Sequence, residues 1–311
     1  MTFPISDRAR VLLEILQLPG VGPARVRRIF ANGFETVPHS VDDLMMASEM
    51  SDSDLQEAAS RASQIINECR HLTLSIVSIA DECYPPMLRA VADAPPILYL
   101  RGSVQSLVTP SIAVVGTRHA SEDGLGIARD IGRYLASKRY CVVSGLALGI
   151  DSEAHLGALE GCGSTVAVLA HGLDAVHPTS NRKLAERILS AGGALVSEHP
   201  PHVPPRRHEF VRRNRIQSGM SLCSIMVESG TKGGAIHQAV FAREQGRKVL
   251  VVLPSESEGT VDFNKEGARY LIDSLGAIPI KSTLELRKEL NGLPIALRPK
   301  WGSLNQGTFG W

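Results

Sequence analysis

The sequence predicts an α/β fold, a Rossmann-like, doubly wound parallel sheet with a small N-terminal helical domain. Three observations predict it. From Ser111 onward, short runs rich in Val, Ile and Leu alternate with helical segments. Those runs are continuously apolar, as strands covered on both faces require. Residues 1 to about 70 show helical spacing instead, with no strand-like alternation.

Residues 1–72 are expected to form the helical unit, because Leu12, Leu13, Ile15, Leu16, Val26, Ile29 and Phe30 recur at helical spacing. Within it, Leu18-Pro19-Gly20-Val21-Gly22-Pro23-Ala24-Arg25 matches the turn of a helix–hairpin–helix. Such a turn can aim backbone N–H groups at DNA phosphate, which makes Gly20, Gly22 and Arg25 candidate contacts. It serves equally well as a plain connector or a dimer contact.

Residues 73–290 form the expected α/β unit. The run 74–79 reads as a short strand, followed by a Pro-rich connection and a second run at Ile97-Leu98-Tyr99-Leu100. Further strands are expected at 112–115, 141–143, 165–169, 194–196, 222–227, 248–253 and 277–280. Between the first two of these lies a helix over 123–137, with Leu125, Ala128, Ile131 and Leu135 on one face. Strand–helix repeats of this length suit right-handed crossovers and a parallel sheet. The tail, 291–311, has no clear period, but Trp301 and Trp311 suggest that it docks.

Composition narrows the function. The net charge of +1 points to no partner for the chain as a whole, so a nucleic-acid site must come from local segregation of charge. Only 5% of residues are aromatic, which argues against binding mainly by base stacking. The five cysteines stand singly, so neither a structural zinc nor a disulfide framework is expected, and a reduced cytoplasmic setting is. The start, MTFPISDRAR, does not read as a secretory leader, and no apolar run approaches the ~20 residues of a membrane helix. No cofactor, metal or catalytic group is expected.

Ligands of open parallel sheets bind beyond the carboxyl ends of the strands. The first such loop is Gly116-Thr117-Arg118. It lacks the Gly-x-Gly-x-x-Gly fingerprint, Ser144 stands where a ribose-binding acid would end the second strand, and no Walker loop is present. One glycine, a hydroxyl and a guanidinium at a helix start suit a phosphate. The alternative is a tight turn with a surface Arg.

The second loop, Ser144-Gly145, continues to Asp151 and His155, which share a helix face. That pair reads as an acid and base, or, preferably, as a dipole-favoured acid beside an ordinary His. Five arginines and one acid fall between Arg206 and Arg215, and Arg212, Arg213, Asn214 and Arg215 join the candidate site. Five neutralised phosphates would give a single-strand salt slope of about −3.5. A solvated basic helix is the alternative. Gly230 and Lys232, in Gly230-Thr231-Lys232-Gly233-Gly234, open another helix and form a second anion-binding candidate, or a packing feature.

The chain resembles the DNA-processing protein A family (DprA, also called Smf). The resemblance rests on 84–102, Ala113-Val114-Val115-Gly116-Thr117-Arg118, the 143–151 segment, Asn181-Arg182-Lys183-Leu184-Ala185, Arg212-Arg213-Asn214-Arg215-Ile216, and Glu244-Gln245-Gly246-Arg247. It implies an extended Rossmann fold that binds single-stranded DNA, forms a homodimer and loads a RecA-type recombinase in natural transformation, without catalysis. The phosphate pocket would use Gly116, Thr117, Arg118, Ser144, Gly145, Arg213, Asn214 and Arg215. Gln238 stands where the family usually has Thr, the segment from Asn264 to Ala268 is shortened, and no winged helix is expected after it. The chain therefore reads as a diverged member, with defence against foreign DNA as an alternative role. Two other readings use the same cleft. One is a phosphoribohydrolase like the LOG family, although Gly230–Gly234 lacks that family's Pro and following Glu. The other is a nucleotide-signal sensor.

Overall fold

The computed structural model describes residues 4–30, 37, 51–254 and 262–294. The expected docking of the tail falls on residues that mostly lie outside these. Nine strands form one sheet: β1 (Ser75–Ser78), β2 (Ile97–Gly102), β3 (Ser111–Val115), β4 (Cys141–Ser144), β5 (Thr165–Leu169), β6 (Ala194–Ser197), β7 (Cys223–Met226), β8 (Lys248–Val252) and β9 (Ile278–Ile280). Their order is β1-β2-β6-β5-β4-β3-β7-β8-β9.

The run from β6 to β9 is parallel throughout, as expected. The edge formed by the chain before Ser111 pairs differently. Strand β2 pairs antiparallel with both β6 and β1, with Leu100 opposite Val196 and Val77 opposite Leu98. The link from β1 to β2 carries only a short helix, Pro86–Arg89, and the chain turns back on itself instead of crossing over.

Strands β3 to β7 are buried along their whole length. On β4, Cys141 and Val143 face one apolar cluster and Val142 the other. Each such side chain contributes ~1.5–3 kcal/mol on burial, so continuous apolar runs are what this sheet requires. The helix Glu122–Ser137 starts at Ser121, whose Oγ accepts from Gly124 N at 3.0 Å. It packs Ile127, Ala128, Ile131 and Leu135 inward, while Leu125 lies near the groove described below. The N-terminal helices Asp7–Ile15 and Asp52–His71 place Ala9, Leu12, Ala62 and Ile66 in the same cluster as β1, β2, β5 and β6. No described helix is long and apolar enough to cross a membrane.

Candidate functional site

The chain runs outward from β3 through β4 and β5 to β6, then returns to the other side of β3 as β7. The crevice between the loops after β3 and β7 is therefore the switch point, where open α/β sheets bind ligands. A cavity of about 740 Å³ opens there. Gly116, Thr117 and Arg118 form one wall, and Gly230, Lys232 and Gly234 another.

The two loops are joined to each other. Thr117 N donates to Glu228 O at 2.7 Å. The buried Glu228 carboxylate accepts from Ser121 N and Oγ at 3.0 and 2.9 Å, and from Asn264 N at 3.0 Å. Glu228 thereby holds the first loop through its backbone carbonyl, and the helix start and the 262–266 segment through its carboxylate. On the opposite side, Gly149 has φ +74°, and Ile150 N donates to Thr117 O at 3.2 Å. A Cβ at Gly149 would meet Thr117 O at 2.5 Å and Arg118 O at 2.8 Å.

The helix Arg207–Met220 supplies the floor, and its arginines divide by burial. Arg213 is 6% exposed, and its Nη1 donates to Gly145 O at 2.9 Å and to Val168 O. Burial pushes its guanidinium down to about 10, against the pull of Asp151. The Asp151 carboxylate accepts from Gly145 N and Ala147 N at 3.1 and 3.4 Å. Burial raises its carboxyl above the usual range, although Arg213 and those N–H groups lower it. Arg213 and Asp151 therefore place a buried cation and a buried acid in the wall of one cavity.

Arg215 turns away, into an ion pair with Glu198. Arg206, Arg207 and Arg212 are exposed. The basic segment is thus not uniformly solvated: Arg213 and Arg215 are buried on partners inside the protein, and the exposed Arg212 lies within 3.8 Å of Glu198 and 3.7 Å of Glu209. Arg118 lies over the Phe210 ring at 5.7 Å, and Phe210 lies 5.7 Å from the His177 ring, so an exposed cation and a ring share the cavity mouth.

The cleft brings together Gly116, Thr117, Arg118, Arg213, Asn214, Gly230 and Lys232. Asn214 Nδ2 donates to Gly234 O at 2.9 Å and so ties the floor to the far wall. Gly145 supports Arg213 from behind, and Ser144 is buried with its Oγ donating to Val114 O at 2.7 Å. Arg212 and Arg215 face a different groove, which Gly22 of the N-terminal hairpin also lines. Gly20 and Arg25 line neither.

Asp151 and His155 share no hydrogen bond, since His155 Nδ1 meets Thr165 Oγ1 at 2.7 Å. The acid–base pairing is therefore not formed. The inner wall holds groups that the sequence did not single out as site residues. Gln217, Ser229 and Gln238 are buried, and Gln217 Nε2, Ser229 Oγ, Gln238 Nε2 and Arg213 Nε have no hydrogen-bond partner among the described residues. Gln238 did stand out as a departure from the family pattern. Gln217 gave no signal inside an Arg-rich helix. Glu198, His199 and Glu209 bring ligand atoms within 4.8 Å of one another, but both Glu198 oxygens already accept from Arg215.

Residues 75–291 match the family described as DNA recombination-mediator protein A. The chain belongs to this family. It is 39% identical over 216 residues to protein Smf of Escherichia coli, covering 69% of this chain and 56% of that protein. It is 35% identical over 198 residues to DNA processing protein DprA of Streptococcus pneumoniae, covering 62% and 70%. The Smf protein of Synechocystis is covered over 61% of its length, so the chain spans little more than half of these Smf relatives. The solved DprA of Streptococcus pneumoniae superposes with a TM-score of 0.73 at 27% identity, over 92% of this chain and 99% of that one. The DNA processing protein A of Helicobacter pylori superposes at 0.61 and 26% identity, over 71% and 97%.

Proposed function

We propose that this member of the family binds single-stranded DNA through the switch-point cleft, without catalysis, and that it acts as a homodimer that delivers the strand to a RecA-type recombinase. One observation carries the DNA-binding reading. Arg118 and Lys232 are exposed and lie in facing loops above a floor that includes Phe210. Two exposed cations and an aromatic ring lining one cavity suit a phosphodiester strand with a stacked base. The Helicobacter pylori relative, for which a single-stranded DNA binding mode is described, supports the reading. The family's description as a recombination mediator supports the recombinase partnership and a role in transformation.

Titrating labelled oligonucleotides and a mononucleotide across a salt series tests it. Tight, salt-dependent binding of the oligonucleotide alone is expected, and a wild-type protein that ignores the oligonucleotide would end the reading. Recombinase delivery is tested by whether the protein speeds filament formation on coated single strands, and the dimer by sedimentation.

A nucleotide ligand is the second reading, favoured by Gln217 Nε2, Ser229 Oγ and Gln238 Nε2, polar atoms of cavity-lining residues with no partner among the described residues. A mononucleotide bound as tightly as the oligonucleotide, with no steep salt slope, would select it.

A further inference from the structure

A second groove, of about 500 Å³, lies beside the main cavity, and Arg118 and His119 belong to the walls of both. Its lining is apolar at Leu148 and Leu184, and Leu148 is 46% exposed, so part of that apolar surface is open to a ligand. Its rim carries Lys183 and Arg187, one turn apart on the same face of the helix Arg182–Ser190. Both are exposed.

The charges of this groove are unbalanced. The acid in its wall is Glu153, and Arg129 Nε already donates to that carboxylate at 2.7 Å. Glu186, on the same helix as Lys183 and Arg187, does not line the groove. Among the described residues, Arg118, Lys183 and Arg187 form no ion pair, whereas Arg129 and Arg133 on the neighbouring helix are paired with Glu153, Asp130 and Glu160. Arg129 and Arg133 are thus neutralised by acids within ion-pair distance, and the three cations around the groove are not.

The groove is also held in shape. Asn181 Nδ2 donates to Leu146 O at 2.8 Å and to Ser152 Oγ at 2.9 Å, which fixes the start of the basic helix against the loop that carries Leu148. Leu146 itself has φ +58°, a backbone region that a residue other than glycine keeps only when its surroundings impose it.

We propose that this groove takes the next stretch of the same single strand, with phosphates reaching Lys183 and Arg187 and a base or sugar covering Leu148. The inference rests on the single-strand reading of the main cavity, and it extends the track in one direction, through Arg118. Unpaired cations beside an apolar platform, continuous with a site of the same character, match the chemistry of a sugar-phosphate chain.

The test compares wild type with the double variant Lys183→Gln, Arg187→Gln, using a short thymidine oligonucleotide that fills the main cavity alone and a long one. Each lost phosphate contact removes about 0.7 from the single-strand salt slope, so the double variant is expected to lower it by about 1.4 for the long oligonucleotide. Over a fourfold rise in salt, wild type then loses about sevenfold more affinity than the variant. The short oligonucleotide binds both equally. Leu148→Glu, which places a negative charge on the platform, weakens only the long oligonucleotide as well. Both changes lie at exposed positions, and the melting temperature is expected to stay the same. A wild type that binds the long oligonucleotide with a slope the double variant reproduces overturns the groove and leaves the cavity reading intact. A wild type that binds neither oligonucleotide overturns both.

Discussion

Arg215 donates Nη1 and Nη2 to the two carboxylate oxygens of Glu198 at 2.7 and 2.8 Å. The two side chains are 5% and 7% exposed, and Arg215 Nε lies 2.9 Å from Asp93. The pair links the floor helix to the end of β6. Breaking a buried pair leaves one charge without its partner and costs about 3–5 kcal/mol. Arg215→Ala is therefore expected to lower the urea midpoint sharply. The double variant Arg215→Met, Glu198→Met, which removes both charges, is expected to recover most of the loss. A single variant as stable as wild type would show that the pair holds nothing together.

Arg118 and Arg213 line the same cavity, yet their replacement has different consequences. Arg118 is exposed and forms no ion pair among the described residues, so Arg118→Ala is expected to shift stability by no more than about 0.5 kcal/mol. If it contacts phosphate, the same change removes a charge-assisted bond worth ~1.5–3 kcal/mol and weakens oligonucleotide binding roughly tenfold or more. Arg213→Ala deprives the Gly145 and Val168 carbonyls of a donor and leaves Asp151 beside a void, so both stability and binding fall. Calorimetry and titration of the two variants side by side separate a binding residue from a residue that builds the site.

Gly149→Ala examines the first loop from behind. The added methyl group would press on the carbonyl oxygens of Thr117 and Arg118, at a backbone angle that L residues rarely adopt. A cost of about 1–3 kcal/mol is expected, together with weaker oligonucleotide binding, because the displaced atoms belong to the loop that carries Arg118. A fully stable variant that binds as wild type does would show that this loop tolerates displacement.

The strands and the loop after β3 were legible because their signals are local. A strand buried on both faces must be apolar along its length, and a parallel sheet must place its cleft beyond the strand ends. The antiparallel addition of β2 to β6 was not legible, since pairing depends on the path between strands and not on the strands themselves. The split among the arginines was hidden for a similar reason. Val168, Glu198 and Asp93, which draw Arg213 and Arg215 inward, lie far from them in sequence. Asp151 and His155 do share a helix, but their partners, Gly145 and Thr165, lie on different strands or loops, so their spacing alone could not show that each bonds elsewhere, as the preferred reading of two separate residues has it.

His155 gives the pH prediction. Thr165 Oγ1 donates to Val142 O at 2.7 Å, so its oxygen accepts from His155 Nδ1 and fixes the proton there. Nε2 is then a bare acceptor, buried and without a partner among the described residues. Protonation would place a charge and an unmet donor in the core. Burial, aided by the charge of Arg213, accordingly lowers the imidazole from 6.5 to about 3. Between those two values the unfolded chain binds the proton and the folded chain does not, so stability rises with pH across the window and is complete above it. On acidification from pH 6.5, this group is expected to remove about 1.4 kcal/mol per pH unit. Replacing it with Gln, which does not titrate, flattens that slope even if the variant is less stable at neutral pH. Urea denaturation of both proteins between pH 4 and pH 7 reads the difference directly. Parallel pH profiles would mean that the buried imidazole is already protonated or that the unfolded chain holds it in the same state.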